Sequence, residues 1–60
     1  MLNIKELRKK VGISQTELAR QLKIGQNTVA MWESGANNPR TDRLPELAKI
    51  LKCSIDELFA

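Results

Sequence analysis

Sixty residues, 42% of them hydrophobic, amount to one domain spanning 1–60, near the lower size at which a hydrophobic core alone offsets the entropy of ordering a chain. No apolar run approaches bilayer length and the Met1-Leu2-Asn3-Ile4-Lys5 start lacks a signal-peptide core, so the chain reads as soluble and cytoplasmic, with no membrane partner. A net charge of +3 is uneven: residues 1–43 hold eight Lys and Arg against four acids, a balance of +4, while 44–60 stand at −1, so a polyanion would meet the N-terminal part.

Only Trp32 and Phe59 are aromatic, which leaves the core to leucine and isoleucine. With no histidine and the single cysteine Cys53, neither an internal disulfide nor a structural zinc site can be built, and no metal or cofactor is expected. Cys53, between Leu51 and Ile55, reads as a small buried hydrophobe.

Three segments open with a capping residue followed three positions later by glutamate: Asn3 with Glu6, Ser14 with Glu17, and Ser54 with Glu57. Each side-chain oxygen can accept from free helix amides, and each glutamate favours the positive end of the helix. The first helix spans roughly 3–11, carries Ile4, Leu7 and Val11 inward, and stops at Gly12. The second runs from Gln15 to about Leu22 with Leu18, Ala19 and Leu22 on one face, and a third follows almost at once over 26–34, closed by Gly35.

The segment from Gly35 to Thr41 gathers the turn-forming residues and forms the one real loop. Pro45 is tolerated only in a first helical turn, so the fourth helix starts near Thr41 to Leu44 and buries Leu44, Leu47, Ala48 and Leu51. A fifth helix after Ser54 adds Ile55, Leu58 and Phe59 to the core. No internal repeat, low-complexity tract or strand pattern is evident, so the fold class is all-α, a compact five-helix bundle.

On a wheel of 100° per residue the third helix turns Val29 and Trp32 inward, while Asn27, Ala30, Met31 and Ser34 face outward with Gln26 at the exposed start. That outward face is nearly uncharged. Reading base edges asks for this, since phosphates take charge whereas bases take paired donors and acceptors. Gln26 and Asn27 each carry a carbonyl and an NH2 able to make a two-point contact with adenine, Ala30 is small enough to let the helix sink into a groove, and Met31 suits a thymine methyl or an ordinary surface position. Ala19 sits where the second helix must approach the third, and Trp32 locks the pair.

The run Gln15-Thr-Glu-Leu-Ala-Arg-Gln-Leu, a short turn, Gln26-Asn-Thr-Val-Ala-Met-Trp-Glu-Ser-Gly and then Asn-Pro-Arg resembles the lambda-repressor and Cro type of helix-turn-helix, the xenobiotic-response-element family. The resemblance extends from Ile4 to Phe59, taking in Leu-Pro-Glu-Leu-Ala-Lys-Ile-Leu and Ser-Ile-Asp-Glu-Leu-Phe. It implies a transcriptional regulator, a bacterial or phage repressor, that reads the major groove of double-stranded DNA with its third helix and binds a pseudo-palindromic operator as a homodimer. It also places Gln15 on a phosphate oxygen, with Ser14 and Thr28 as further phosphate contacts, and assigns Asn38, Arg40 and the adjacent Thr41 to phosphate or minor-groove contacts. Arg8 and Glu33 match a partly buried ion pair of structural role, and dimerisation is expected through Leu58 and Phe59 or the loop. Lys9, Lys10 and Arg43 read as plain solvated surface.

Two departures stand out: Lys23 occupies a turn position usually held by glycine, repeated at Lys52, and Gly25 replaces the usual Ser or Thr cap. A lysine in left-handed backbone costs on the order of 1 kcal/mol. An enzyme is not expected, since there is no histidine, Gly-rich phosphate loop or metal-spaced carboxylate cluster. The competing readings are a helix-turn-helix used as a protein-interaction module and the DNA-binding part of an antitoxin; an interaction module would more naturally expose leucine or aromatic anchors where Gln26 and Asn27 stand.

Overall fold

A computed structural model describes residues 2–59. In chain order it contains α1 (Ile4–Val11), α2 (Gln15–Leu22), α3 (Gln26–Ser34), a single 3-10 turn (Thr41–Arg43), α4 (Leu44–Ile50) and α5 (Ile55–Leu58), with no strand among the described residues. These elements surround one apolar cluster drawn from all five helices, centred on Ile4, Leu18, Leu22, Val29, Leu47 and Leu58. The most extensive interhelical contact is between α2 and α3, where Ala19 is buried.

The chain's own stop and start signals account for most boundaries. Gly12 and Gly35 end α1 and α3 with φ of 88° and 85°, a left-handed conformation in which a side chain would be strained. The Ser14 hydroxyl accepts the Glu17 N–H at 3.0 Å. At α5 the reciprocal arrangement is complete: the Glu57 N–H donates to Ser54 Oγ (3.2 Å) and the Ser54 N–H donates to Glu57 Oε1 (2.9 Å).

Asn3 corrects the expectation made for it. Its side chain caps nothing, and its backbone (φ −99°, ψ 37°) is not in the extended conformation of Ser14, Gly25 and Ser54. Instead its N–H donates to the Leu58 carbonyl at 2.7 Å, tying the start of α1 to the end of α5. Helix 5 also differs from expectation: only Leu58 is buried, whereas Ile55 is 41% and Phe59 56% exposed. A helix of four residues makes barely one turn and has room for one inward position. Leu58, being buried, cannot form a dimer contact. Val11, Leu44 and Cys53 are only half-buried. Desolvation, followed by the charge of Glu57, raises the Cys53 thiol pKa above its ordinary value, so at neutral pH the thiol stays protonated.

The expectation of no internal repeat is corrected: the likeness noted between Lys23 and Lys52 belongs to a longer one. Glu17-Leu18-Ala19 and Leu22-Lys23 recur as Glu46-Leu47-Ala48 and Leu51-Lys52. In both copies the Leu, Ala and Leu are buried and the lysine is left-handed, with φ of 60° at Lys23 and 54° at Lys52. The next amide then reaches back to the alanine carbonyl at 3.0 Å, from Ile24 to Ala19 and from Cys53 to Ala48. An extended cap follows each time, Gly25 before α3 and Ser54 before α5. The turn between α4 and α5 thus repeats the turn between α2 and α3.

Glycine at a left-handed position relieves about 1–2 kcal/mol of steric cost, offset in part by about 0.5–1 kcal/mol of extra unfolded-chain entropy. Lys23→Gly is therefore expected to raise thermal stability, by about 3–6 °C in a domain of this size. Differential scanning calorimetry checks this, and an unchanged or lower midpoint would show that the lysine is not strained.

Arg43 is not plain surface. Its Nη1 donates to the Leu22 carbonyl at 3.0 Å, satisfying one of the acceptors left open where α2 ends, and it lies 3.7 Å from Glu46. This bond fastens the far end of the loop 35–40 to the turn beneath α3.

Candidate nucleic-acid interface

The orientation of α3 follows from what it buries. Val29 is fully buried and Trp32 is 5% exposed, and these two inward anchors fix the opposite face. On that face Gln26, Asn27 and Ser34 are exposed and Met31 is 39% exposed. Ala30 lies at its margin, half-buried rather than fully outward. Among the described residues the Asn27 amide bonds to no other side chain, so its donors and acceptor are free.

The only charged residue of α3, Glu33, is drawn underneath. Arg8 Nε donates to Glu33 Oε2 at 2.7 Å and Arg8 Nη2 to Glu33 Oε1 at 3.3 Å, with side chains 12% and 5% exposed, as the resemblance implied. Arg8 Nη1 also donates to the Ile13 carbonyl at 2.9 Å, so α1, the turn before α2 and α3 share one guanidinium. Burial pushes the Glu33 carboxyl pKa up, but hydrogen bonds from Arg8 and Gln15 and the charges of Arg8 and Lys5 outweigh it and hold the pKa below the ordinary 4.5.

Gln15, at the start of α2, extends this arrangement towards the exposed face. Its Nε2 donates to Glu33 Oε1 at 2.9 Å, and its Oε1 accepts from Gln26 Nε2 at 3.3 Å. The sequence reading placed Gln15 at a phosphate and did not foresee either bond. The partners lie 18 and 11 residues away, so no local pattern signals them. Ser14, beside it, is exposed; its oxygen is engaged by the Glu17 amide but its hydroxyl hydrogen is not.

Thr28, Asn38 and Arg40 lie together. They line one open cleft of about 550 Å³, together with Asn37, Trp32 and Arg43, and with Asp42 as the opposing charge. Gln15 and Ser14 are absent from this cleft. The candidate phosphate contacts therefore form two separate groups, one at the start of α2 and one made of Thr28 and the loop residues. Arg43 and Asn37 belong to the second group and were not anticipated. Thr41 lines a smaller hollow of about 310 Å³ with Leu2, Asn38, Pro39, Leu44 and Phe59.

Comparison with known proteins agrees with this fold. A helix-turn-helix family model matches residues 4–58, nearly the whole chain. The chain belongs to this helix-turn-helix family. Among curated relatives of this helix-turn-helix domain, the HTH-type transcriptional regulator ImmR of Bacillus subtilis is 38% identical over 56 residues, covering 93% of this chain and 44% of the relative. The HTH-type transcriptional activator BcrR of Enterococcus faecalis is 32% identical over 57 residues, covering 95% of this chain and 28% of the relative. A protein of Archaeoglobus fulgidus named as an uncharacterised HTH-type transcriptional regulator is 32% identical over 56 residues, covering 93% of this chain and 80% of its own length. The chain thus spans less than half the length of the first two.

Proposed function

We propose that this helix-turn-helix domain binds double-stranded DNA sequence-specifically and regulates transcription, with α3 in the major groove. The observation that carries the reading is the uncharged outward face of α3, with Gln26 and Asn27 at its exposed start. Gln26, Asn27 and Met31 face base edges, and Ala30 lets the helix approach them. Gln15 and Ser14 on one side, and Thr28, Asn38 and Arg40 on the other, hold the two DNA backbones. The names of the relatives support regulation of transcription, and one of them is an activator. Our reading for this chain is repression by occluding polymerase, in the cytoplasm; no helix among the described residues is long and apolar enough to cross a membrane.

Two copies are proposed to occupy a pseudo-palindromic operator with half-site centres about 34–36 Å apart. Ile55 on α5 and Phe59 just after it, both exposed, are the apolar residues available for contact between copies, in place of Leu58. The same exposed pair favours a protein contact in addition to DNA binding, not instead of it, because it lies on a different helix from Gln26 and Asn27.

Selection of bound duplexes from a random library tests the reading, followed by titration of the selected sequence against scrambled DNA at two salt concentrations. An enriched palindrome bound about a thousandfold tighter than scrambled DNA is expected. Binding that is sequence-blind and abolished by salt would overturn it. Gln26→Ala is expected to relax preference at one base pair, whereas Arg40→Ala weakens binding to every sequence and flattens the salt dependence by about one ion. Indistinguishable behaviour of the two variants would refute the division between base and phosphate contacts.

A further inference from the structure

The bonds from Glu33 through Gln15 to Gln26 have a direction. An ionised carboxylate has only acceptors, so the Gln15 group facing Glu33 at 2.9 Å must be its NH2. That leaves the Gln15 carbonyl towards Gln26, and the group meeting it at 3.3 Å must be the Gln26 NH2. The amide of Gln26 is then spoken for on one side only. It keeps one N–H and its carbonyl oxygen for an outside partner. Adenine offers the complement in the major groove, N7 as acceptor and the N6 amino group as donor, whereas guanine offers two acceptors, one of which would face the Gln26 oxygen.

Glu33, near the end of α3, has a side chain only 5% exposed and paired with Arg8, so it holds the direction of the chain from within the fold. We propose that Glu33 is a positioning residue that sets the base preferred by Gln26, by fixing which way round the Gln15 and Gln26 amides lie. The inference rests on the reading of Gln26 as a base contact. A neutral amide at position 33 has both a donor and an acceptor. Gln15 can then turn round, Gln26 can follow, and an NH2 faces the groove in place of the donor and acceptor pair.

The test is the base preference at the single operator position lost in Gln26→Ala. In Glu33→Gln, the preference for adenine over guanine there is expected to fall by about tenfold or more, with other positions and the salt dependence unchanged. Gln15→Ala leaves the Arg8–Glu33 pair whole and keeps the assay informative if Glu33→Gln folds poorly. It is expected to lose the same single preference, on top of any uniform weakening from a lost phosphate contact. Preservation of the adenine preference in both variants would overturn the inference alone. A wild type that selects no sequence, or whose preference survives Gln26→Ala, overturns the base-contact reading and the inference with it.

Discussion

Arg8→Ala is expected to leave the domain largely unfolded at 25 °C, seen as loss of the helical circular dichroism signal. The guanidinium makes three hydrogen bonds, two to Glu33 and one to the Ile13 carbonyl, and the pair is only 12% and 5% exposed. Removing one partner of a buried pair leaves the other charge uncompensated, at a cost of about 3–5 kcal/mol. A domain of this size has about 3–5 kcal/mol in all. The double variant Arg8→Met with Glu33→Leu removes both charges together and is expected to refold, since apolar replacement of a buried pair is often neutral or stabilising. An Arg8→Ala domain as stable as the wild type would show that the pair contributes nothing to the fold.

The same pair makes the wild type sensitive to acid. The folded-state pKa of Glu33 lies below its unfolded value of 4.5, so its contribution is full above that pH and is lost as pH falls through the depressed folded value. The double variant lacks this loss. Its denaturation midpoint is expected to vary less with pH below about 4.5 than that of the wild type.

Trp32→Ala is the second large effect. Trp32 is the only tryptophan, 5% exposed, and it anchors α3 while forming part of the floor of the cleft that holds Thr28, Asn38 and Arg40. Truncating a buried tryptophan costs about 3–5 kcal/mol, again near the whole stability of the domain. Urea titration followed by circular dichroism is expected to show no folded baseline in the variant. In the wild type, the fluorescence of this one residue should report the same transition. A variant within about 0.5 kcal/mol of the wild type would mean that the indole is not part of the core.

Much of the fold was legible because its boundaries are written in local chemistry. Gly12 and Gly35 supply left-handed ends, Ser14 and Ser54 supply caps, and Pro45 marks a first turn; none of these depends on distant residues. What escaped the sequence was fixed by contacts remote along the chain. Asn3 has the composition of a cap, but its amide is claimed by Leu58. Arg43 looks like any exposed arginine until the Leu22 carbonyl is brought within 3.0 Å. In the candidate interface, the wheel of α3 separated Val29 and Trp32 from Gln26 and Asn27, since periodicity decides that much. It could not show that Gln15 links Glu33 to Gln26, because that requires the packing of α2 on α3.

The twice-used turn separates two vocabularies within one short chain. The inner words, Leu-Ala and Leu-Lys, are spelled alike at 18–23 and 47–52, and they specify the bend. The outer words differ: where α3 begins Gln26-Asn27 and continues to Ala30, the matching places are Ile55 and Asp56 on α5 and Phe59 just after it. One side of the hairpin writes in amides and the other in apolar and acidic residues, yet the backbone beneath is the same. On the proposed reading, the target of α3 can therefore be rewritten at the exposed Asn27 and Met31 with little consequence for whether the molecule folds. Gln26 is the exception, because its amide belongs to both vocabularies.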